Sequence, residues 1–393
     1  MNRPRPLALL FLGALTAVGC ASVPQAPRTC FGTELQTGPA WMAGAAWDGR
    51  GERLVLVDPG TRTLLVYSPE GQLLERASHE LLDGLDFHHP VRVEAEGEGF
   101  IVGDRSRLLW LDSGFERARV AFDGVDGVGS LHLGDWTRPS QSTVAFADMQ
   151  VDDESWTRGF FRFGRGSSYE VLAEMPLEQG GEYARYYSYG LRPYVASVGR
   201  RTYVLRYRQP SEVYRAGRSE LKLLWRIDDE ASRVEGSAAG QEKIFGWDGG
   251  LYLLESVKRA AENPSGLEAP QPVGPAEGGT DSLVLDPKAA PSKAAQEALR
   301  AALLSGQVVQ KTTRDWYLSR IDTRRGGREW RRRLISGLEG ALTVVPGPRT
   351  WALVSHSGIA AGSLGGRTEV HWMPAESVAP GTSGEDLCPA SPP

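Results

Sequence analysis

The stretch LVLVDPGTRTLLVYSPEGQLL, residues 54–74, decides the fold of this chain. Residues 54–57 are an apolar run that predicts a short buried strand, and the DPG that follows is typical of a tight turn. Residues 64–67 predict a second strand, and the PEG that follows predicts a second turn before a third strand. With an earlier strand in residues 42–49, this pattern predicts a four-stranded antiparallel meander.

The same unit recurs along the chain. Residues 90–122 repeat the order of strand, Gly turn and strand in full, and residues 193–227 repeat its first half. Looser copies occupy residues 130–177, 234–334 and 342–378. Four-stranded units at periods of about 40–50 residues are typical of β-propellers. The sequence therefore predicts an all-β fold, a propeller of six blades, or seven if the looser copies are misaligned, with one helical insertion.

One unit also carries a family resemblance. FHHPVRVEAEGEGFIVGDRSRLLWLDSGFE, residues 87–116, resembles a blade of the NHL-type or TolB-like propellers. The resemblance covers the first two units well and the others weakly, and it implies a six-bladed propeller. Because this pattern serves many unrelated functions, it bears on the fold and not on the activity.

Closure of the ring brings the two ends of the propeller together, because each blade must bury both faces of its sheet. Cys30 and Cys388 lie near the two ends of the sequence. We expect them to form a disulfide that links the first and last blades, and two free thiols are the alternative. Such a bond indicates an oxidising compartment outside the cytoplasm.

The first residues have the pattern of a processing signal. The apolar run at residues 7–17 is too short to span a bilayer of about 30 Å as a helix. TAVGC, residues 16–20, resembles the lipobox of bacterial lipoproteins, with Ala in place of the usual Leu. The resemblance implies a signal peptide over residues 1–19 and acylation of Cys20, and an ordinary secretory signal is the alternative. The two residues after Cys20 are not Asp, which in that family favours the outer membrane, facing the periplasm or the cell surface.

The remaining boundaries follow from composition. We expect a lipidated tether over residues 20–38, the propeller over 39–380 and a C-terminal tail over 381–393. Residues 262–312 are rich in Pro, Gly and Glu and then contain a predicted helix, which indicates a flexible and helical insertion in the fifth unit. The insertion is either a lid or partner-binding element, or a tolerated decoration.

Metal or catalytic chemistry has little support in the sequence. His88 and Asp104 are weak candidates for a metal site, since adjacent residues on a strand point to opposite faces and only one of His88 and His89 can face a given centre. The chain contains no H-E-x-x-H, C-x-x-C, EF-hand, G-x-S-x-G or Walker A pattern. We expect no catalytic residue, no metal and no cofactor.

Tyrosines and arginines cluster in two places. Eight of the twelve tyrosines lie between residues 183 and 214, and they either face the channel as a ligand-binding surface or fill half-buried strands. The candidate ligand-binding residues are Tyr183, Tyr186, Tyr187, Tyr189 and Tyr194. RRGGREWRRR, residues 324–333, is either a solvated hairpin between the outer strands of the fifth unit or a contact with anionic lipid headgroups. Its candidate contacts are Arg324, Arg325, Arg328, Arg331, Arg332 and Arg333.

These patterns predict a lipid-anchored outer-membrane propeller that binds a ligand, or that acts as a scaffold for an envelope protein or peptide. The net charge of −5 and the exported location argue against a nucleic-acid partner. The alternative is a metal-dependent hydrolase or lactonase with its site at the mouth of the channel. Three converging Asp, Glu, Asn or His side chains on the axis would favour that enzyme, and apolar and aromatic groups would favour the binding protein.

Overall fold

The fold was analysed in a computed structural model. It describes residues 30–35, 39, 44–48, 52–78, 85–104, 106–124, 130–138, 142–150, 156–164, 168–175, 194–206, 211–227, 239–259, 313–357, 367–378 and 387–388. These residues form 24 strands and one short 3-10 turn at Ala375–Val378. The predicted insertion at 262–312 lies outside the described residues.

The strands form six antiparallel sheets of four strands each, so the prediction of a six-bladed β-propeller is confirmed. Blade one consists of β2 (Gly44–Trp47), β3 (Leu54–Asp58), β4 (Thr63–Tyr67) and β5 (Leu73–Ala77). Blade two consists of β6 (Pro90–Glu96), β7 (Gly99–Asp104), β8 (Arg107–Asp112) and β9 (Ala118–Phe122). Blade three consists of β10 (Ser130–Thr137), β11 (Thr143–Gln150), β12 (Trp156–Phe163) and β13 (Tyr169–Met175). Blade four consists of β14 (Tyr194–Val198), β15 (Arg201–Arg206), β16 (Ser211–Ala216) and β17 (Leu221–Ile227). Blade five consists of β18 (Ala239–Trp247), β19 (Gly250–Arg259), β20 (Thr313–Ile321) and β21 (Arg328–Glu339). Blade six consists of β22 (Ala341–Val345), β23 (Thr350–Ser357), β24 (Arg367–Pro374) and β1 (Phe31–Glu34).

Blade six joins the two ends of the chain. Its outermost strand is β1, which pairs with β24 in the register Phe31 to Trp372 and Glu34 to Glu369. The sequence patterns did not indicate this strand, because FGTE lacks an apolar run and lies within the segment interpreted as tether. The strand closes the ring by main-chain hydrogen bonds, so the N-terminal segment supplies the fourth strand of the last blade.

The hydrophobic core is divided into six clusters, one at each boundary between neighbouring blades. The cluster between blades six and one contains Trp47 and Trp372, whose ring centroids lie 5.5 Å apart. Trp47 also donates its indole N–H to the Val345 carbonyl of blade six, at 3.0 Å. Since each of the six boundaries between described blades holds such a cluster, the ring is closed.

Cys30 and Cys388 lie at disulfide distance, with their Cα atoms 5.2 Å apart. The sequence predicted that this bond links the first and last blades, but the structure places it elsewhere. Cys30 precedes β1 at the outer edge of blade six, and Cys388 donates its N–H to the Leu334 carbonyl on the outermost strand of blade five, at 2.9 Å. The prediction was wrong on this point because β1 crosses to blade six before the first blade begins.

Aspartates at the ends of strands hold the turns of the repeat. Asp58 accepts a hydrogen bond from the Gly60 N–H at 2.9 Å and one from the Thr61 hydroxyl at 2.9 Å. Asp104 occupies the same place in blade two and is fully buried. Asp58 therefore stabilises the turn after β3, whereas Asp104 accepts backbone N–H groups of the loop that precedes β6.

Candidate functional site: the central channel

The innermost strands of all six blades surround one cavity of about 710 Å³ that is partly open to solvent. Its volume is within the range of about 300–1,000 Å³ that is usual for small-molecule sites. Because β2, β6, β10, β14, β18 and β22 all contribute residues, the cavity lies on the axis of the ring. The inner strands approach closely here, since a side chain at Gly246 would collide with the Ser197 carbonyl oxygen.

Among the charged side chains that line this cavity, we call four the channel cluster: Arg92, Glu94, Asp135 and Lys243. Alternation along β6 places Arg92 and Glu94 on the face opposite to Val93, which packs in the core between blades one and two. Arg92 forms ion pairs with both Glu94 and Asp135. Asp135 also accepts a hydrogen bond from the Val195 N–H at 2.6 Å, which ties blade three to blade four.

Lys243 differs from the rest of the cluster. It is half-buried, and no hydrogen bond or ion pair joins it to another residue in the described part of the chain. Burial and, to a smaller extent, the charge of Arg92 lower the pKa of its ammonium, and Glu94 opposes the shift, with the net result that this pKa is about 7. The channel therefore holds an amine that loses its proton near neutral pH and has no protein partner among those residues.

The structure separates the predicted ligand-binding tyrosines. Tyr194 begins the innermost strand of blade four and lines the cavity. Tyr183, Tyr186, Tyr187 and Tyr189 lie outside the described residues. One member of the predicted tyrosine surface is therefore placed at the channel.

His88, His89 and Asp104 do not form a metal centre. The buried carboxylate of Asp104 accepts the backbone N–H groups of His88 at 3.0 Å and His89 at 2.5 Å, and Arg107 pairs with it at 3.0 Å. His89 lines the cavity, whereas Asp104 is engaged in holding the loop. Across the described residues, no group of three or more His, Cys, Asp or Glu side chains is placed to hold a metal ion.

The arginine-rich stretch forms the predicted hairpin between the outer two strands of blade five. Arg324 and Arg325 are exposed at its turn, where Asp322 accepts their backbone N–H groups. Arg328 and Arg331 are half-buried and pair with Glu255, at 3.0 and 3.3 Å. The remaining two, Arg332 and Arg333, are also half-buried, and Arg332 lies over the Trp330 ring at 5.0 Å.

The sequence analysis missed the channel cluster. A signal for it was present, because the first strand of each unit is the innermost strand, and charged residues there must face the axis or a blade boundary. Arg92 and Glu94 stand in such a strand, PVRVEAE, and Lys243 stands in another, AGQEKIFGW. What the sequence did not show is that Asp135, from a third blade, pairs with Arg92 while Lys243 remains unpaired by the described residues.

The axis matches neither of the two expected outcomes. Three carboxylates line the cavity: Glu94 and Asp135 are engaged by Arg92, and Asp48 is paired with Arg53. Tyr194 shares the cavity with these charged groups. The lining is thus mixed, with apolar walls and a few converging polar groups, as in many small-molecule sites.

No helix among the described residues has the length and apolar character to cross a membrane.

Comparison with known proteins gives similarity at the level of the fold. No protein-family model and no curated protein matches the chain. Among solved structures, a member of the DUF4221 family from Bacteroides vulgatus has 9% identity and a TM-score of 0.46, covering 88% of this chain and 96% of its own. A luciferin-regenerating enzyme has 10% identity and a TM-score of 0.44, covering 91% and 99%. A calcium-binding protein, regucalcin, from Agrobacterium tumefaciens has 10% identity and a TM-score of 0.42, covering 85% and 90%.

Proposed function

We propose that this protein is a lipid-anchored envelope protein whose propeller binds a small ligand in the central channel. The observation that carries the proposal is the partly open axial cavity of about 710 Å³, which combines apolar walls, Tyr194 and Lys243, an amine that no described residue pairs. A closed ring of six packed blade boundaries supplies a rigid frame for such a site. The same disc can also present a surface to an envelope protein or peptide.

The proposed anchor is the acylated Cys20 implied by the lipobox resemblance. Cys30 is the first described residue and precedes β1, so the chain enters the propeller at the outer edge of blade six. The two cysteines are ten positions apart, and at about 3.3–3.6 Å per residue this length of chain spans at most about 36 Å. The anchor would therefore hold the rim of blade six close to the outer membrane, from the periplasmic side or the cell surface.

A metal-dependent hydrolase or lactonase is the less favoured alternative. Such an enzyme needs several free carboxylate or imidazole ligands at one point. In the described part of the channel, Glu94 and Asp135 are both paired with Arg92, and no third acidic or imidazole ligand completes a group with them. The donor set thus supports binding better than metal-assisted hydrolysis.

Blocking the channel tests the proposed binding site. Ala95 lines the cavity and is exposed, so the larger side chain of Ala95→Trp should obstruct the channel. Val120→Trp is the matched control, because Val120 is 41% exposed on the outermost strand of blade two. In a thermal-shift screen of a metabolite library, we expect compounds that raise the melting temperature of the wild type and of Val120→Trp but not of Ala95→Trp. Stabilisation of all three proteins alike, or of none by any compound, would contradict the proposal.

The anchor has a separate test. Cells fed an alkyne-tagged fatty acid should label the wild-type protein, and Cys20→Ser should lose the label and leave the membrane fraction. Cys30→Ser should keep the label, since Cys30 is paired with Cys388 in the fold. Equal labelling of wild type and Cys20→Ser would refute lipidation at this residue.

A further inference from the structure

We propose that Lys243 captures a carbonyl compound, an aldehyde or ketone, in the channel as a reversible Schiff base. The inference rests on the proposed function, because it takes the channel to be the ligand site. It adds the chemical class of the ligand and the atom that holds it, the side-chain nitrogen of Lys243.

The position of Lys243 is the first support. It lies on β18, the innermost strand of blade five, and lines the axial cavity. No described residue forms a hydrogen bond or ion pair with it. A polar group of this kind, half-buried and without a partner, costs free energy unless a ligand engages it.

The charges around Lys243 favour a neutral ligand over an anion. Arg92 already lies between two carboxylates, Glu94 and Asp135. These ion pairs occupy the guanidinium that would otherwise bind an anion beside Lys243, whereas an uncharged carbonyl group needs no such counter-ion. The other titratable groups that line the cavity are Asp48, His89 and Tyr194.

The choice of lysine is the third support. The chain holds 44 lysines and arginines, of which only six are lysines: Lys222, Lys243, Lys258, Lys288, Lys293 and Lys311. Arginine would serve better as a fixed cation in a network of ion pairs, but its guanidinium does not lose its proton. Lysine at this place supplies an amine that can act as a nucleophile, and the lowered pKa of Lys243 is consistent with that role.

The chemistry needs no redox partner. The neutral amine attacks the carbonyl carbon, a C–N bond forms, and a proton moves from nitrogen to oxygen to give the carbinolamine. Loss of that hydroxyl as water, with the second N–H proton, gives the C=N bond. Water reverses the reaction, so Lys243 would hold the carbonyl compound without consuming it.

Reductive trapping tests the inference on the folded, full-length protein. The probe is benzaldehyde at pH 7 with cyanoborohydride, which converts an imine into a stable secondary amine that peptide mapping locates. At this pH about half of Lys243 is neutral, against about one part in 2,500 for a lysine of ordinary pKa. We expect Lys243 to be modified at least about tenfold faster than Lys222, which is exposed on β17.

Two variants and one control make the outcome decisive. Lys243→Arg should lose the fast modification and Lys222→Arg should keep it, while protein unfolded in urea should lose the difference between the lysines. If Lys243→Arg does not fold, Lys243→Met takes its place. Modification of Lys243 no faster than that of Lys222 in the wild type would overturn the inference. If thermal-shift ligands still depend on an open channel in that case, the binding site stands and only the carbonyl chemistry fails.

Discussion

Two charged clusters in this molecule have opposite compositions. In blade five, the buried Glu255 is surrounded by Arg328, Arg331 and the Ser319 hydroxyl, which donates to it at 2.7 Å; we call this the blade-five cluster. In the channel cluster, one arginine lies between two carboxylates, and Lys243 has no partner among the described residues.

The difference separates a structural role from the proposed binding role. Glu255 is 1% exposed, and its carboxylate oxygens are all engaged, so the blade-five cluster offers nothing to a ligand. The channel cluster leaves a reactive amine facing a cavity. A charge that the fold leaves unpaired at an open site costs stability, and such a cost is typical of functional sites.

The largest effect should follow from breaking the blade-five cluster. Glu255→Gln removes the anion between two half-buried arginines, and loss of one partner of such a group costs about 3–5 kcal/mol of unfolding free energy. Glu329→Gln is the control, because Glu329 pairs with Arg320 at the surface of the same blade and should cost no more than about 1 kcal/mol. Urea unfolding measures both, and equal costs would show that the two ion pairs are equivalent.

The next effect concerns the disulfide at the rim of blades five and six. It closes a loop across a sequence separation of 358 residues, and we expect the double variant Cys30→Ser, Cys388→Ser to lose about 2–4 kcal/mol. Reducing conditions should cause the same loss in the wild type and no further loss in the double variant. No change in the urea midpoint of the double variant would contradict this account of ring closure.

A smaller contrast lies within the arginine hairpin. Arg331→Gln should cost about 1–3 kcal/mol, because it removes a charged partner from Glu255. Arg324 is exposed at the turn, so Arg324→Gln should change stability by less than about 0.5 kcal/mol. Melting temperatures of the two variants, measured side by side, compare them directly. A larger loss for Arg324→Gln would mean that the turn, and not Glu255, orders the hairpin.

The sequence predicted the six blades because their strands are short apolar runs between Gly, Pro and Asp turns, and these are local signals. It placed the strands of blade two at residues 90–122, where the structure has β6 to β9. It missed β1 and the true place of the disulfide, because the pairing of FGTE with β24 joins residues more than 300 positions apart. It missed the channel cluster for the same reason, since Arg92, Asp135 and Lys243 belong to three different blades.

The most direct test of the central claim is the pH dependence of Lys243→Met. Below pH 7 the folded wild type holds a charged, half-buried Lys243, and between its folded pKa of about 7 and the ordinary 10.5 the unfolded state binds the extra proton. The penalty for burying the charge is therefore complete below pH 7 and is relieved as the pH rises. Urea unfolding should show Lys243→Met to be more stable than the wild type at pH 6, with this gain falling by about 3 kcal/mol at pH 9.5. A variant that is less stable than the wild type at pH 6 would contradict the claim, because Lys243 would then be a stabilising counter-ion of Glu94 and Asp135 and not a group held for a ligand.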